Sequence, residues 1–574
     1  MTGLLDSIGY ADWALHALIW LPVIGIAAVL FGPEERAKHV AFGWTTGVFV
    51  LSLGLWWAFE PGTAAMQMAS ETSWIGIWGV HYALGLDGIS LFMVLLTTLT
   101  TPLAILGSFE YIKKKERGFY ALMLLLEAGV LGVFLATDLF LFYVFFELTL
   151  VPMYFIVGMW GGERRVYAAI KFFLYTAFGS LLMLVAIFYL YVRAGQVSGD
   201  PSFLIADLLR SPLSLQEQLW LFGAFALAFS IKVPLFPFHT WLPDAHVQAP
   251  TPGSVVLAAV LLKMGTYGFL RFLLPLFPLA SQHPTVVSTM MILGVTGIVY
   301  AALVAAVQPD AKKLVAYTSV AHMGFVVIGI FALNVNGLQG GLMVMVSHGI
   351  STGALFLLLG MLYERRHTRL IDEFGGIARV APMLTGAFVI TALASIGLPG
   401  TSGFVGEFLA LLGAFEKRPY LAIIATTGVI FAAYYMLPMV QKMFFNRLTK
   451  PENRAVQDLS RREIAVLAPL LALMIILGVY PTPVLERIEP SVRAVLERVE
   501  RSNPDLGFAE LGVRADLLEP RTPLHFVTSV PDVDLSVSRV ERRDFGDEVA
   551  RWSWAPIPDP VATSPGSADT DEQD

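Results

Sequence analysis

Long apolar runs separated by short polar links dominate the chain between residues 14 and 482. A window of about 18 or more apolar residues is long enough to cross a bilayer as a helix. The pattern predicts an all-α polytopic membrane protein with about fourteen transmembrane helices. The windows are 14–31, 40–59, 86–109, 119–136, 139–158, 168–192, 219–237, 254–278, 285–307, 313–332, 337–362, 382–412, 420–441 and 463–482.

The composition fits a protein that uses the bilayer as its solvent. Of the 574 residues, 56% are hydrophobic and 14% are charged, whereas soluble domains carry about 25% charged residues. The chain has no cysteine, which excludes disulfides, iron–sulfur clusters and thiolate metal sites on it. The first apolar run lacks a basic flank, so no cleavable signal peptide is predicted.

Basic residues are distributed unequally between the two sets of alternating loops. Loops on the side of the first link carry 20 Lys and Arg residues, and the alternate loops carry 5. Cytoplasmic loops are the Lys/Arg-rich ones in membrane proteins. The asymmetry predicts that both termini lie on the periplasmic side, and it supports the count of fourteen spans.

The chain changes character at about residue 484. The stretch VLERIEPSVRAVLERVE predicts an amphipathic helix interrupted by Pro490. The last residues, PDPVATSPGSADTDEQD, are polar and acidic and predict disorder. No part of the chain has the pattern of a globular enzyme domain.

Ionisable residues inside the spans are the candidate functional residues, because a charge at the bilayer centre costs at least about 2.5 to 3.5 kcal/mol. Proton transfer is the chemistry that such residues suggest. They are Glu127, Glu147, Lys232, Lys263, His322, His348 and Glu407.

Glu147 has no charged neighbour within one helical turn, so its partner is expected on another helix. Lys232, in FSIKVPLFPFHTWLPDAH, is the natural candidate. The alternative is a static ion pair that fixes packing. Lys263 lies near the centre of its span, where burial favours the uncharged amine and allows it to exchange protons; the alternative is that it extends to an interface.

The other candidates are each weaker. For His322, His348 and Glu127, the alternative to proton transfer is a role in packing. Glu407 follows a glycine-rich break. The alternative is that the break is a flexible kink and that the acid beside it has no function. Asp138 suits proton transfer and helix capping equally.

His239 and His246 flank the segment WLPDA, which is expected to be an irregular loop. Their spacing is not that of a zinc motif, so no metal site is predicted. Proton uptake or rigidity of the loop is the expected role.

Two spans are expected to be broken, one at Pro234 and Pro237 and the other at Pro399, Gly400 and Gly403. The two spans are five apart and therefore cross in opposite directions, as in inverted repeats that enclose two half-channels. The predicted organisation is helices 1–3 in 1–118, a first five-helix repeat in 119–280, a second in 281–445, a last span in 446–483 and an acidic tail in 484–574.

Five stretches together resemble the antiporter-like subunits of respiratory complex I. They are FSIKVPLFPFHTWLPDAH, PDAKKLVAYTSVAHMGF, SHGISTGALFLLLGMLYER, SIGLPGTSGFVGEF and the APTPGS that follows the first. The stretch DLFLFYVFFELTLVPMYF, and Glu407 where the sister subunits have lysine, favour the branch of subunit M, also called chain 4. Subunits of Mrp-type cation/proton antiporters and membrane-bound hydrogenases resemble the chain too.

The resemblance implies a proton-translocating subunit in the bacterial inner membrane. Glu147 and Lys232 match the family's ion pair, Lys263 its central lysine and Glu407 its terminal acid. His322 and His348 match polar residues of its central axis. The resemblance also implies that FMN and iron–sulfur clusters belong to other subunits, that no cofactor lies on this chain, and that its partners are membrane-arm subunits and the lipid bilayer, with no nucleic acid.

Two other functions remain open at this stage. A subunit of a stand-alone Mrp-type antiporter would have nearly the same motifs. A spacer of the membrane arm without a proton path would have no reason to bear the cost of buried charges. No motif for a quinone site is present.

Overall fold

The computed structural model describes residues 2–502, and α-helices make up most of them. Twelve of its helices are long and apolar enough to span a membrane. The two remaining predicted windows, 219–237 and 382–412, fall on helices that are broken. The prediction of an all-α polytopic membrane protein is therefore confirmed in class, with one small β-hairpin added.

The N-terminal part carries the hairpin between its third and fourth helices. Its elements are α1 (Thr2–Ser7), α2 (Tyr10–Phe31), α3 (Ala37–Ala58), β1 (Gln67–Ile75), β2 (Val80–Leu86) and α4 (Gly88–Gly107).

The next part contains the first broken helix. Its elements are α5 (Glu116–Leu135), α6 (Leu139–Leu148), α7 (Leu150–Trp160), α8 (Arg165–Ser198), α9 (Ile205–Leu208), α10 (Leu215–Lys232), α11 (Trp241–Gln248), α12 (Thr251–Val256), a π-helical turn (Leu257–Leu261), α13 (Leu262–Gly268), a second π-helical turn (Phe269–Leu273), α14 (Leu274–Leu276) and α15 (Pro278–Gln282).

The last part contains the second broken helix. Its elements are α16 (Pro284–Ala306), α17 (Ala311–Phe331), α18 (Val335–Arg366), α19 (Pro382–Ser395), α20 (Ser402–Lys417), α21 (Pro419–Val440), α22 (Pro451–Arg454), α23 (Arg461–Val479) and α24 (Thr482–Arg501). Short 3₁₀ turns lie at Glu34–Arg36, Gly76–Trp78, Ile371–Glu373 and Ile377–Arg379.

The hairpin β1–β2 was not predicted, because its seven-residue second strand leads directly into the apolar window that begins at residue 86. The strands are antiparallel and are joined through the turn Gly76–Trp78. Gly79 follows this turn with φ of +61°, and a Cβ there would lie 2.2 Å from the Pro201 carbonyl oxygen. A glycine is therefore required where the turn packs on the loop that contains Pro201.

The first break separates α10 from α11. Lys232 is the last residue of α10, and Pro234 and Pro237 lie in the turn of residues 233–240 that follows. Proline has no N–H to continue a helix. The Trp241 indole donates a hydrogen bond of 2.9 Å to the Ile231 carbonyl and so satisfies one of the freed groups at membrane depth.

The second break separates α19 from α20 and contains Pro399 and Gly400, with Gly400 at φ of +89°. Gly403, which the sequence places in this break, lies instead in the first turn of α20. A Cβ at Gly403 would lie 2.1 Å from the Ala394 carbonyl oxygen. This glycine therefore allows close packing of the two half-helices and does not break them.

The C-terminal helix α24 continues through Pro490, so the predicted interruption is wrong. The helix packs against α18 and α4, and it buries the apolar residues Val484, Ile488, Val492, Leu496 and Val499. This packing holds the helix together at the missing proline N–H. The predicted disorder of the acidic end lies outside the described residues.

Two of the long helical segments lie at the centre of the bundle. In the most apolar window of Thr251–Leu276 and in that of Val335–Arg366, every residue is buried inside the protein. Only 39% of the corresponding window of α2 is buried. Ionisable residues on the two central segments therefore face protein and not lipid.

Candidate functional site

Lys263 lies in α13, between the two π-helical turns. Such turns are rare, and they often occur at functional sites. The side chain is fully buried. Its Nζ lies 2.5 Å from the Ala258 carbonyl oxygen and 2.6 Å from Nδ1 of His348. The lysine is therefore held by protein groups deep in the bundle and does not extend to an interface.

A row of ionisable side chains continues from Lys263 into the second half of the chain. The imidazoles of His348 and His322 have ring centroids 5.6 Å apart. Nδ1 of His322 lies 2.8 Å from Oε1 of Glu407, and its Nε2 lies 3.4 Å from the Ser395 hydroxyl. We call Lys263, His348, His322 and Glu407 the central row; its members come from α13, α18, α17 and α20.

A small polar cavity adjoins the central row where the two imidazoles face each other. Its volume is about 10 Å³, and Ser347 and Ser351 line it together with both histidines. A cavity of roughly 10–15 Å³ holds one water molecule. The Ser402 hydroxyl donates to Ser347 at 3.2 Å and holds the wall of the cavity. A single water in this cavity can thus bridge the two imidazoles, whose ring centroids are 5.6 Å apart.

Lys232 and Glu147 do not form the predicted ion pair in this structure. The Lys232 ammonium is buried and lies 4.9 Å from the centre of the Phe146 ring and 5.7 Å from that of Phe172. Neither its Nζ nor Oε1 of Glu147 has a hydrogen-bond partner among the described residues. Cation–π contacts take the place of the carboxylate.

Glu127 and Asp138 lie outside the central row. Glu127 is buried in α5, and neither of its carboxyl oxygens has a hydrogen-bond partner within residues 2–502. Asp138 caps α6: its Oδ1 accepts the N–H groups of Phe140 and Leu141, each at 2.9 Å, and its Oδ2 accepts that of His81 at 3.0 Å. The capping role accounts for the burial of Asp138.

The segment WLPDAHVQ forms helix α11 and not the expected irregular loop. Pro243 is compatible with this helix because it lies in the first turn, where no N–H is needed. His246 is fully buried and stacks on Phe356 at 4.5 Å between ring centroids. His239 lies 5.3 Å from the Tyr300 ring.

No group of residues that could hold a metal ion occurs in the part of the chain that the structure describes. Asp244, which lies between His239 and His246 in the sequence, pairs with Lys171 at 2.7 Å. Its carboxylate is therefore used for packing α11 against α8.

A cavity of about 230 Å³ opens on the Lys/Arg-rich side beside the end of α11. Lys312 and Arg369 line it and donate hydrogen bonds of 2.7 and 2.6 Å to the carbonyls of Ala249 and Val247. These carbonyls follow His246 directly. The two cations thus complement the negative end of the α11 dipole and fix the turn that joins α11 to α12.

The sequence analysis missed a buried ion pair on the hairpin side. Arg271, which it counted as a loop residue, lies in the second π-helical turn and pairs with Asp87, the N-cap of α4. Its Nε donates to the Tyr267 hydroxyl at 3.1 Å. The signal was present, since Lys263, Tyr267 and Arg271 recur every four residues and so share one helix face.

Comparison with known proteins identifies the family. Residues 136–432 match the family model described as NADH:quinone oxidoreductase/Mrp antiporter, transmembrane. NADH-quinone oxidoreductase subunit M of Rhodobacter capsulatus is 46% identical over 516 residues, which is 88% of this chain and 98% of that protein. The matched region contains every member of the central row.

Solved structures agree with the sequence comparison. A chain of respiratory complex I from Thermus thermophilus with bound NADH is 36% identical, with a TM-score of 0.78 over 84% of this chain and 99% of that chain. A chain of the Mrp complex from Dietzia sp. DQ12-45-1b has a TM-score of 0.72 over 84% of this chain and 99% of its own, but it is only 20% identical and shows a shared fold alone. The chain belongs to the NADH:quinone oxidoreductase/Mrp antiporter family and, within it, to the branch of NADH-quinone oxidoreductase subunit M.

Proposed function

We propose that this chain is a proton-translocating subunit of the membrane arm of a NADH:quinone oxidoreductase. The observation that carries the proposal is the central row, in which four ionisable side chains from four helices follow one another through the middle of the bundle. Its two direct contacts measure 2.6 and 2.8 Å, and its one gap adjoins a cavity that fits one water. Proton transfer needs contacts of this length, or one water between the groups.

The proton moves along the row from Lys263 to Glu407. The Lys263 ammonium gives its proton to Nδ1 of His348. His348 passes a proton through the intervening water to His322, and His322 passes one to the Glu407 carboxylate. Glu407 then releases its proton on the side away from the Lys/Arg-rich loops, and Lys263 takes up a new proton from the uptake region. Each imidazole returns to its starting tautomer before Lys263 donates again.

Lys232 and Glu147 supply the electrostatic coupling. When Glu147 approaches, the Lys232 charge is compensated; when it withdraws, the charge repels the proton on Lys263. Two unit charges about 8 Å apart interact by about 2 kcal/mol at an effective dielectric of 20. The packing of Lys232 against two aromatic rings, with Glu147 unpaired, suits the withdrawn state.

Proton uptake is assigned to the Lys/Arg-rich side. His246 directly precedes Val247, which lines the 230 Å³ cavity. Both ring nitrogens of His246 are buried without hydrogen-bond partners among the described residues. His239 and Glu127 are accessory groups of this uptake region. With the Lys/Arg-rich loops in the cytoplasm, both termini are periplasmic and the membrane is the inner membrane of a bacterium.

The rest of the assembly follows from the family. FMN and iron–sulfur clusters belong to other subunits, and sister antiporter-like subunits pack beside this one in the bilayer. The two broken helices, α10–α11 and α19–α20, belong to two inverted five-helix repeats, 119–280 and 281–445. Each repeat supplies one half-channel, and the central row joins the two.

The free-energy cost of burying the central row disfavours a spacer without a proton path. Lys263, His348, His322 and Glu407 are all nearly or fully buried, and each unpaired buried charge costs several kcal/mol. A Mrp-type antiporter subunit is the other alternative. Its fold is shared, but the 46% identical relative carries the oxidoreductase name.

The test is Lys263→Met in the intact complex, with Lys417→Met as the matched control, since Lys417 is exposed at the end of α20. NADH-driven acidification and NADH:quinone turnover are measured in inverted membrane vesicles after native-gel confirmation of assembly. We expect Lys263→Met to lower pumping at least tenfold and the control to pump normally. Normal pumping by an assembled Lys263→Met complex would eliminate the proposal and favour a spacer.

Lys232→Ala distinguishes the two coupled functions. If turnover and pumping both fall in the assembled complex, redox energy reaches this chain through the Lys232 charge. If NADH-driven activity stays at the wild-type level, the oxidoreductase assignment fails, and cation/proton exchange in the same vesicles becomes the decisive assay.

A further inference from the structure

A second line of polar groups leads away from Lys263, toward the side of the molecule that carries the hairpin. Tyr267 lies one turn further along the same helix face, and Arg271 lies one turn beyond it. Eight residues of helix span about 12 Å. The side chains of Tyr267 and Arg271 therefore lead along one helix face from Lys263 toward the hairpin side.

A cavity on the hairpin side extends to the end of this line. A cavity of about 400 Å³ is lined by Arg271 and Asp87 together with Glu71, Ser491 and Arg498. Arg271 and Asp87 are both at least nine-tenths buried although they border it. Along the helix face, their pair and Tyr267 lie between this cavity and Lys263.

No proton can pass through the contact between Arg271 and Oδ1 of Asp87. A guanidinium stays protonated at any pH the protein meets. The Asp87 Oδ1 already accepts from the N–H of Ile89 at 3.1 Å, from the N–H and the hydroxyl of Ser90 at 3.0 Å each, and from Arg271. The Asp87 oxygen that contacts Arg271 therefore has no lone pair left to take a proton at this contact.

Tyr267 closes the inner side of the pair. Its ring is buried, and its hydroxyl donates to the Phe134 carbonyl at 3.0 Å while accepting from Arg271 Nε at 3.1 Å. The hydroxyl proton is thus committed to a backbone oxygen. A chain of hydrogen bonds that ends on a carbonyl does not conduct.

We propose that Arg271, held by Asp87 and Tyr267, is a proton seal that closes the first half of the protein toward the hairpin side. The seal forces a proton on Lys263 to leave sideways through His348, His322 and Glu407 and stops protons from flowing back along the face of α13. Arg271 is a positioning residue, because it touches no transferred proton. The inference rests on the proposed function.

The experiment measures passive proton influx without NADH. The purified complex is reconstituted in liposomes that contain a pH-sensitive dye, and an outside acid jump is applied with valinomycin and potassium present to clamp the potential. Arg271→Ala removes the guanidinium, extends the cavity inward and frees the Asp87 carboxylate. We expect influx at least tenfold above that of the wild type, and a matching loss of NADH-driven acidification while turnover persists.

Further variants separate the seal from simple misfolding. Arg271→Lys keeps a cation beside Asp87, and Asp87→Asn keeps both the helix cap and the guanidinium; both should stay within twofold of wild-type influx. The double variant Asp87→Asn/Arg271→Ala has no unpaired buried charge and should leak as well. A tight double variant would overturn the proposal, and so would a loss of pumping without a leak in Asp87→Asn, which would make the pair an exit route.

Adding Lys263→Met to Arg271→Ala tests where the leak runs. The influx should return to the wild-type level, because the leak passes through Lys263; a persistent leak would place the route elsewhere and refute the seal. This outcome is independent of the proposed function, because influx is read without redox turnover. Normal pumping by Lys263→Met alone would refute the proposed function whatever the influx of the Arg271 variants.

Discussion

The hydrogen bond between His322 and Glu407 allows a quantitative prediction for the end of the central row. Both groups are buried, and 2.8 Å separates Nδ1 of His322 from Oε1 of Glu407. Glu407→Gln keeps the size and one acceptor oxygen but removes the negative charge. It should therefore leave the packing of α20 intact and remove only the negative charge at the end of the central row.

The magnitude follows from Coulomb's law. Unit charges about 4 Å apart, the separation of the charge centres in a hydrogen-bonded pair, attract by about 4 kcal/mol at an effective dielectric of 20. A free-energy change of about 1.4 kcal/mol corresponds to a factor of ten in rate. Even one third of the lost attraction corresponds to about a tenfold fall in the rate of transfer through His322.

The assay is NADH-driven acidification of inverted vesicles, normalised to the amount of assembled complex. Glu416→Gln is the control: Glu416 is an exposed residue of the same helix, where it accepts hydrogen bonds from Asn334 and Asn336. We expect at least tenfold slower pumping for Glu407→Gln and none of this loss for Glu416→Gln. Pumping by an assembled Glu407→Gln complex at more than half the wild-type rate would show that protons do not pass through this pair.

Two other substitutions test the scaffold and not the proton path. Asp138→Ala removes both the cap of α6 and the acceptor of the His81 N–H, and it should lower the free energy of unfolding by more than about 1 kcal/mol. Asp138→Asn keeps the cap and loses only the acceptor for His81, so it should be destabilised less. Thermal melting of the detergent-solubilised complex measures both variants, and equal melting points would show that the cap does not stabilise α6. Gly403→Ala places a Cβ 2.1 Å from the Ala394 carbonyl oxygen and should cost about 1–3 kcal/mol, while Gly386→Ala, with nothing within 4 Å of its Cβ, should be neutral. Native-gel yields after mild heating compare these two variants, and equal yields would contradict the close packing of the half-helices.

Apolar window length was enough to predict the transmembrane helices. All fourteen windows fall on helices of the structure, because a segment of that length in lipid must satisfy its backbone internally and only a helix does so alone. The positions of both breaks also followed from sequence, since Pro234 and Pro399 cannot continue a helix. The hairpin did not follow, since its second strand leads straight into an apolar window without a polar boundary.

The members of the central row could be chosen from sequence, but their order in space could not. A buried lysine or glutamate stands out against apolar neighbours because of its cost. Contacts between helices depend on packing, and no local pattern reports that His322 meets Glu407 or that His348 meets Lys263. The expected Glu147–Lys232 contact failed for the same reason: the aromatic rings around Lys232 come from α6 and α8.

The direction of proton flow can be understood from the unequal ends of one helical segment. Lys263 lies between two π-helical turns, and the face of α13 that could carry its proton to the hairpin side ends at Arg271, which cannot release a proton. Within residues 2–502, Lys263 Nζ has two hydrogen-bond partners, the Ala258 carbonyl and His348. Of these two, His348 is the one that can take up a proton. In the proposed mechanism, a proton that reaches Lys263 therefore moves across to α18 and α17 and on to Glu407 beside the break before α20. In this mechanism the route from Lys263 toward the hairpin side is closed, while each member of the central row meets the next through a hydrogen bond or across a cavity that fits one water.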